Sequence, residues 1–162
     1  MRRYPIFSRI LHWALAALVF WQIGIVTAYK IAGSSPFLDK MASLGPSHGM
    51  VGLIVLPLAL LRLVRPPAAS NRAARLVHHT LRVLLVAIPA LALLRAYGSG
   101  KGWVHRGLTI VPETGEEVAW MVKLGNIAHG ELAWVMIALI GLHIAGAVMH
   151  GFRRDVTLHR RA

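Results

Sequence analysis

The sequence predicts an all-α integral membrane protein, a four-helix transmembrane bundle with both termini cytoplasmic. Three observations predict it. Of the 162 residues 56% are hydrophobic and the mean hydropathy is positive, which suits a membrane domain better than a soluble globule. Four apolar runs can be drawn, each near the roughly 20 residues a helix needs to cross a hydrocarbon core about 30 Å thick. The basic residues, finally, gather in alternate connections. Residues 1–162 read as a single transmembrane domain without internal repeat or low-complexity tract.

The first run, approximately 10–31, follows "MRRYPIFSR". It is too long for the apolar region of a signal peptide and lacks a clear small-residue cleavage site, so it reads as a helix. The second run covers approximately 47–64, the third 76–97 and the fourth 126–152. Between them lie "GSSPFLDKMASLGPS", "RPPAASNRAAR" and the long "GSGKGWVHRGLTIVPETGEEV", whose Gly, Pro and Ser residues read as loops.

The net charge of +12 alone would suggest a nucleic-acid partner, but the arginines sit beside apolar runs rather than along a polar face. Twelve of the eighteen basic residues fall on one side: Arg2, Arg3 and Arg9; Arg62, Arg65, Arg72, Arg75 and Arg82; Arg153, Arg154, Arg160 and Arg161. The other side holds six basic residues and five of the six acids. Since cytoplasmic loops carry the Lys/Arg excess, both termini are expected in the cytoplasm and no nucleic acid is expected as partner.

Four histidines lie at membrane depth, where an ionisable group is by default a functional-site hypothesis. His129 starts the fourth run and His143 lies fourteen residues on, about 21 Å along the axis and within about 40° of the same face. His12, in "RILHW", lies at the inner end of the first run, level with His143. His48, in "GPSHGMVG", lies at the outer end of the second, level with His129. Two cross-helix pairs are expected, His12 with His143 and His48 with His129. Gly49, Gly52, Gly130, Gly141 and Gly146 would clear space for a bulky flat ligand, although small-residue helix packing explains any one of them equally well.

With no cysteine, thiolate-ligated clusters and covalent C-x-x-C-H haem links are excluded. A structural zinc site wants four ligands close together, and each level here offers two. Haem iron wants two axial ligands from facing helices, so the count fits two haems b whose iron atoms take His12, His48, His129 and His143 as axial ligands. With both axial positions filled, electron transfer is the expected chemistry rather than oxygen activation. A non-redox metal or proton transporter lined by histidines is disfavoured, because the spans show only Gln22 and Glu131 as other polar ligands.

"HW" at Trp13, "SHG" at Ser47, the fourteen-residue spacing ending in "GLH", the "LLRLVRPP" exit and "GLT" at Gly107 resemble the bacterial cytochrome b561 family over nearly the whole chain. The family's four axial ligands carry over onto His12, His48, His129 and His143. The resemblance implies a multi-pass protein of the bacterial inner membrane, in contact with the lipid bilayer. It is nearest to the stand-alone di-haem members that pass electrons from superoxide to ubiquinone. Other members are haem-bearing anchor subunits of hydrogenases and dehydrogenases, which leaves a dehydrogenase partner as the alternative.

The resemblance also implies a ubiquinone pocket on the cytoplasmic side, with His78 and His150 at positions similar to the family's helix-end histidines. Neutral imidazole can hydrogen-bond a quinone carbonyl and pass it a proton, while anchoring at the headgroup level explains these residues equally well. Arg62 is a candidate partner for a haem propionate, since arginine binds carboxylates bidentately. On the outer side Lys101 and Arg106, beside His105 and Trp103, would draw a small anion such as superoxide, but Glu113, Glu116 and Glu117 confine any such attraction to a short range.

Overall fold

The structure is a computed structural model that describes residues 6–45, 47–64 and 72–159, with side chains described to residue 149. Its elements are α1 (Ile6–Ala32), α2 (Pro36–Leu44), α3 (His48–Leu63), α4 (Arg72–Gly98), a hairpin of β1 (Lys101–His105) and β2 (Leu108–Glu113), and α5 (Ala119–His159). Four helical stretches are long and apolar enough to cross a membrane: Ile6–Ala32, Pro36–Leu63, Arg72–Gly98 and Ala119–Met149. The mostly helical architecture expected from the sequence is therefore present, with a two-stranded hairpin added to it. The chain forms two compact units, residues 1–65 and 66–162.

In the first unit α1 and α3 pack through two stripes of four-residue period, Leu11, Leu15 and Val19 on one helix and Val51, Val55 and Ala59 on the other. A period of four aligns side chains in one ridge, so branched residues of one helix fill the grooves of its neighbour. The helices run in opposite directions, because Gln22 of α1 bonds His48 while Ser8 lies against Arg62. α1 stops where Gly33 takes φ +70° and donates its N–H to the Tyr29 carbonyl, a left-handed close that glycine adopts without strain.

α2 falls where the sequence reading expects a loop. Its start carries its own signal: Ser35 accepts a hydrogen bond from the Leu38 N–H on its hydroxyl, and Pro36 occupies the first turn, where its missing N–H costs nothing. Two contacts tie α2 back to α1. The Tyr29 hydroxyl donates to Asp39 Oδ1 at 2.7 Å, and Gly45 lies so close to the Trp21 ring that a Cβ there would overlap it.

In the second unit α4 and α5 are antiparallel, since the neighbouring pairs Gly98 with Met121, Arg95 with Gly125, Ile88 with His129 and His78 with His143 run in opposite order along the chain. The Gly98 end of α4 approaches α5 closely. A Cβ on Gly125 would lie 2.5 Å from Arg95 Cβ and 2.8 Å from the Leu91 carbonyl, so only glycine fits this crossing. Both helices outrun their apolar cores: α4 begins at Arg72 and α5 covers 41 residues. Apolar length marks the part in lipid, whereas the backbone hydrogen-bond ladder continues into water wherever nothing breaks it.

The long connection between them is the antiparallel hairpin, closed by Arg106 at φ 49° and Gly107 at φ 81°. Positive φ at both central residues makes the two-residue turn whose twist matches that of the strands. A bulge between Trp103 and Val104, with Gly102 at φ +67°, shifts the register, and Val111 is buried.

Candidate functional site

Each unit carries two of the four histidines at well-separated levels. In the first, His12 is half-buried near the start of α1, whereas His48 is the first residue of α3 and is held beside Gln22. Ten residues of α1 separate the levels of His12 and Gln22, about 15 Å of helix rise. In the second unit, His129 and His143 are half-buried on α5, about 21 Å apart along the axis for their fourteen residues.

His48 and His129, which the sequence pairs at the outer side, are each fixed in one tautomer. Gln22 Nε2 donates to the His48 carbonyl at 2.7 Å, which turns Gln22 Oε1 toward His48 Nδ1 at 2.9 Å. A flipped amide would set two carbonyl oxygens against each other, so the orientation follows from the backbone group it serves. Oε1 only accepts, and His48 therefore carries its proton on Nδ1. His129 Nδ1 lies 2.9 Å from the carbonyl of Ile88, again an acceptor only, so the same tautomer results. In both rings Nε2 is then the basic nitrogen, the form in which a histidine ligates a metal while its other N–H is held by an outer partner.

His12 and His143, which the sequence pairs at the inner side, have ring neighbours. The rings of His143 and His78 meet edge to face, with centroids 5.0 Å apart and planes at 69°. His12 has the ring of the adjacent Trp13 at 5.5 Å. The sequence reading puts His78 at the opening of the third helix, but α4 starts six residues earlier, which sets His78 about 9 Å inside its end and opposite His143.

Other predicted positions are placed as follows. Arg62 Nη1 stands 3.5 Å from the Ser8 carbonyl, joining the end of α3 to the first turn of α1. Lys101 and Arg106 are not brought together: Lys101 opens β1 opposite Glu113, and Arg106 lies in the turn five residues on, roughly 16 Å away at strand rise. The side chain of His150 lies outside the described residues, as do those of Arg2, Arg3, Arg65, Arg153, Arg154, Arg160 and Arg161.

Two polar contacts escape the sequence reading. Gln22 stands out there only as a polar group in an apolar helix, without its link to His48. Arg95 donates through Nε to Asn126 Oδ1, one turn from His129, a pairing that depends on the register of α4 against α5.

Several features fit a large flat iron ligand. The donor set is imidazole, with no thiolate available, and among the described residues no three His, Asp or Glu side chains converge as a compact chelate requires. A Cβ on Gly130, Gly141 or Gly146 would meet no atom within 4 Å, in contrast to the crowded Gly125 on the same helix. In the apolar window of α5 only 6% of the residues are fully buried.

A family model described as prokaryotic cytochrome b561 matches residues 3–160 of the chain. The chain is also 27% identical, over 177 aligned positions, to cytochrome b561 homolog 1 of Escherichia coli (strain K12); the alignment covers 99% of this chain and 97% of that relative.

Proposed function

The chain belongs to the prokaryotic cytochrome b561 family and is thus a haem b-binding, multi-pass membrane electron-transfer protein; within that family we propose that it is a superoxide:ubiquinone oxidoreductase of the bacterial inner membrane. It holds two haems b, one between His48 and His129 near the periplasmic face and one between His12 and His143 near the cytoplasmic face, with both termini cytoplasmic. The observation that carries this reading is the separation of levels within each unit, about 15 Å and about 21 Å, with the outer histidine of each unit held as the Nδ1–H tautomer. Two histidines so far apart within each unit suit two bis-histidine groups and do not suit one.

When bound, haem b supplies a one-electron iron couple with no open coordination position. Two superoxide ions give up one electron each to leave two dioxygen molecules; ubiquinone takes those two electrons and two protons to become ubiquinol. The chain's task at the outer face is attraction of a small anion, which we assign to Lys101 and Arg106 of the hairpin. At the inner face His150, with His78 as a second contact, holds the ubiquinone carbonyl and delivers a proton to it. To Arg62 we assign the pairing with a haem propionate.

The test is reduction of the purified cytochrome by superoxide, followed by addition of ubiquinone. Superoxide should reduce the haems faster than a neutral donor of similar potential, ubiquinone should reoxidise them, and His150→Ala should slow reoxidation while sparing the haem spectrum. Slow reduction by superoxide, with immediate reduction by a co-purifying dehydrogenase, would establish the anchor-subunit role in its place.

A further inference from the structure

The contact between His78 and His143 has a consequence for the inner haem level. A metal-bound histidine is free to turn about its bond to the metal unless something on the protein side fixes the ring plane, and outer partners commonly do so. For His129 that partner is the Ile88 carbonyl and for His48 it is Gln22. For His143 the packed neighbour is another imidazole, supplied by α4 at a centroid distance of 5.0 Å and an interplanar angle of 69°. The two rings cannot be ligands on opposite sides of one iron. With metal–nitrogen bonds of about 2 Å on each side, their centroids would stand about 6 Å apart along a common axis, with the macrocycle between them. His78 therefore flanks His143 on the protein side.

We propose that His78 is the positioning residue of the inner haem: packed edge to face on His143, it fixes the plane of that axial ligand. The proposal rests on the assignment of His143 as an axial ligand. It is independent of whether His78 also touches ubiquinone. Both rings are half-buried and sit on neighbouring antiparallel helices of one unit, so rotating His143 would require its neighbour to move. The orientation of an axial imidazole splits the iron d orbitals of a low-spin ferric haem, so it is read directly in the electron paramagnetic resonance g values, and outer-partner contacts are one lever on haem potential.

The experiment uses the full-length holoprotein with His78→Ala, which removes the ring, and His78→Phe, which keeps an edge-to-face ring without nitrogen. His78→Ala should displace the low-field resonance and the midpoint potential of the inner haem and leave those of the outer haem unchanged. His78→Phe should bring the low-field resonance back toward its original position. Resonance and potential of the inner haem that stay unchanged in His78→Ala would overturn the proposal, even if ubiquinone reacts more slowly. Should His78→Ala not accumulate, His78→Gln, which also lacks the ring, carries the same expectation and the same refutation. A His143→Ala control that retains both haems would refute the ligand assignment instead, so the two failures are distinguishable.

Discussion

The proposed outer ligands, His48 and His129, and the proposed inner ligands, His12 and His143, have different neighbours. At the outer level each imidazole is tied to a neutral acceptor: His48 to an amide that is itself held by the His48 backbone, His129 to a main-chain carbonyl. Such partners neither titrate nor easily move, and they fix both tautomer and ring plane. At the inner level His143 packs on another imidazole and His12 beside Trp13.

The largest effect expected from disturbing that contrast is at Gln22. Gln22→Leu removes the acceptor that fixes His48 and should weaken retention of the outer haem by about 10–100-fold, the usual cost of losing an outer partner of a ligating histidine. Gln22→Glu, which keeps an acceptor, should lose less, and haem titration of the apoprotein with each variant measures the difference. Equal losses of outer and inner haem would erase the distinction between the levels.

A second effect is expected where α4 and α5 cross. Gly125→Ala places a Cβ against Arg95 and the Leu91 carbonyl, and overpacking of this kind costs about 1–3 kcal/mol. Gly141→Ala, on the same helix, meets no protein atom and should leave apoprotein stability unchanged. Denaturation in detergent compares the two; a loss at Gly141 as large as at Gly125 would show that the open face is already filled by protein.

The smallest effect is expected at the hairpin. Lys101 faces Glu113 across the strands and Arg106 lies in the turn, so the attraction for an anion is local. Arg106→Ala should slow reduction by superoxide by less than about tenfold, the low end of electrostatic steering, and added salt should shrink the difference as screening sets in.

The four spans are legible in the sequence because lipid imposes length and apolar composition. Where the chain leaves lipid that constraint lapses. α5 continues past the apolar run, α2 hides among Gly, Ser and Pro residues, and the hairpin closes on Arg106, a residue type that seldom announces a positive φ. Contacts between helices are hidden for another reason. His78 against His143, Arg95 with Asn126 and His129 on the Ile88 carbonyl depend on the register of α4 along α5, which close approach at Gly98 and Gly125 sets and no local pattern encodes. Gln22 was visible as an oddity, but its partner His48 lies 26 residues away.

Haem content per chain in the four single variants His12→Ala, His48→Ala, His129→Ala and His143→Ala tests the pairing most directly. Two haems are expected in the unsubstituted protein. His48→Ala and His129→Ala should each abolish the same outer component of the redox difference spectrum, and His12→Ala and His143→Ala the same inner component. Loss of one common component in all four variants, or spectral losses that pair His12 with His129, would contradict the two-level arrangement.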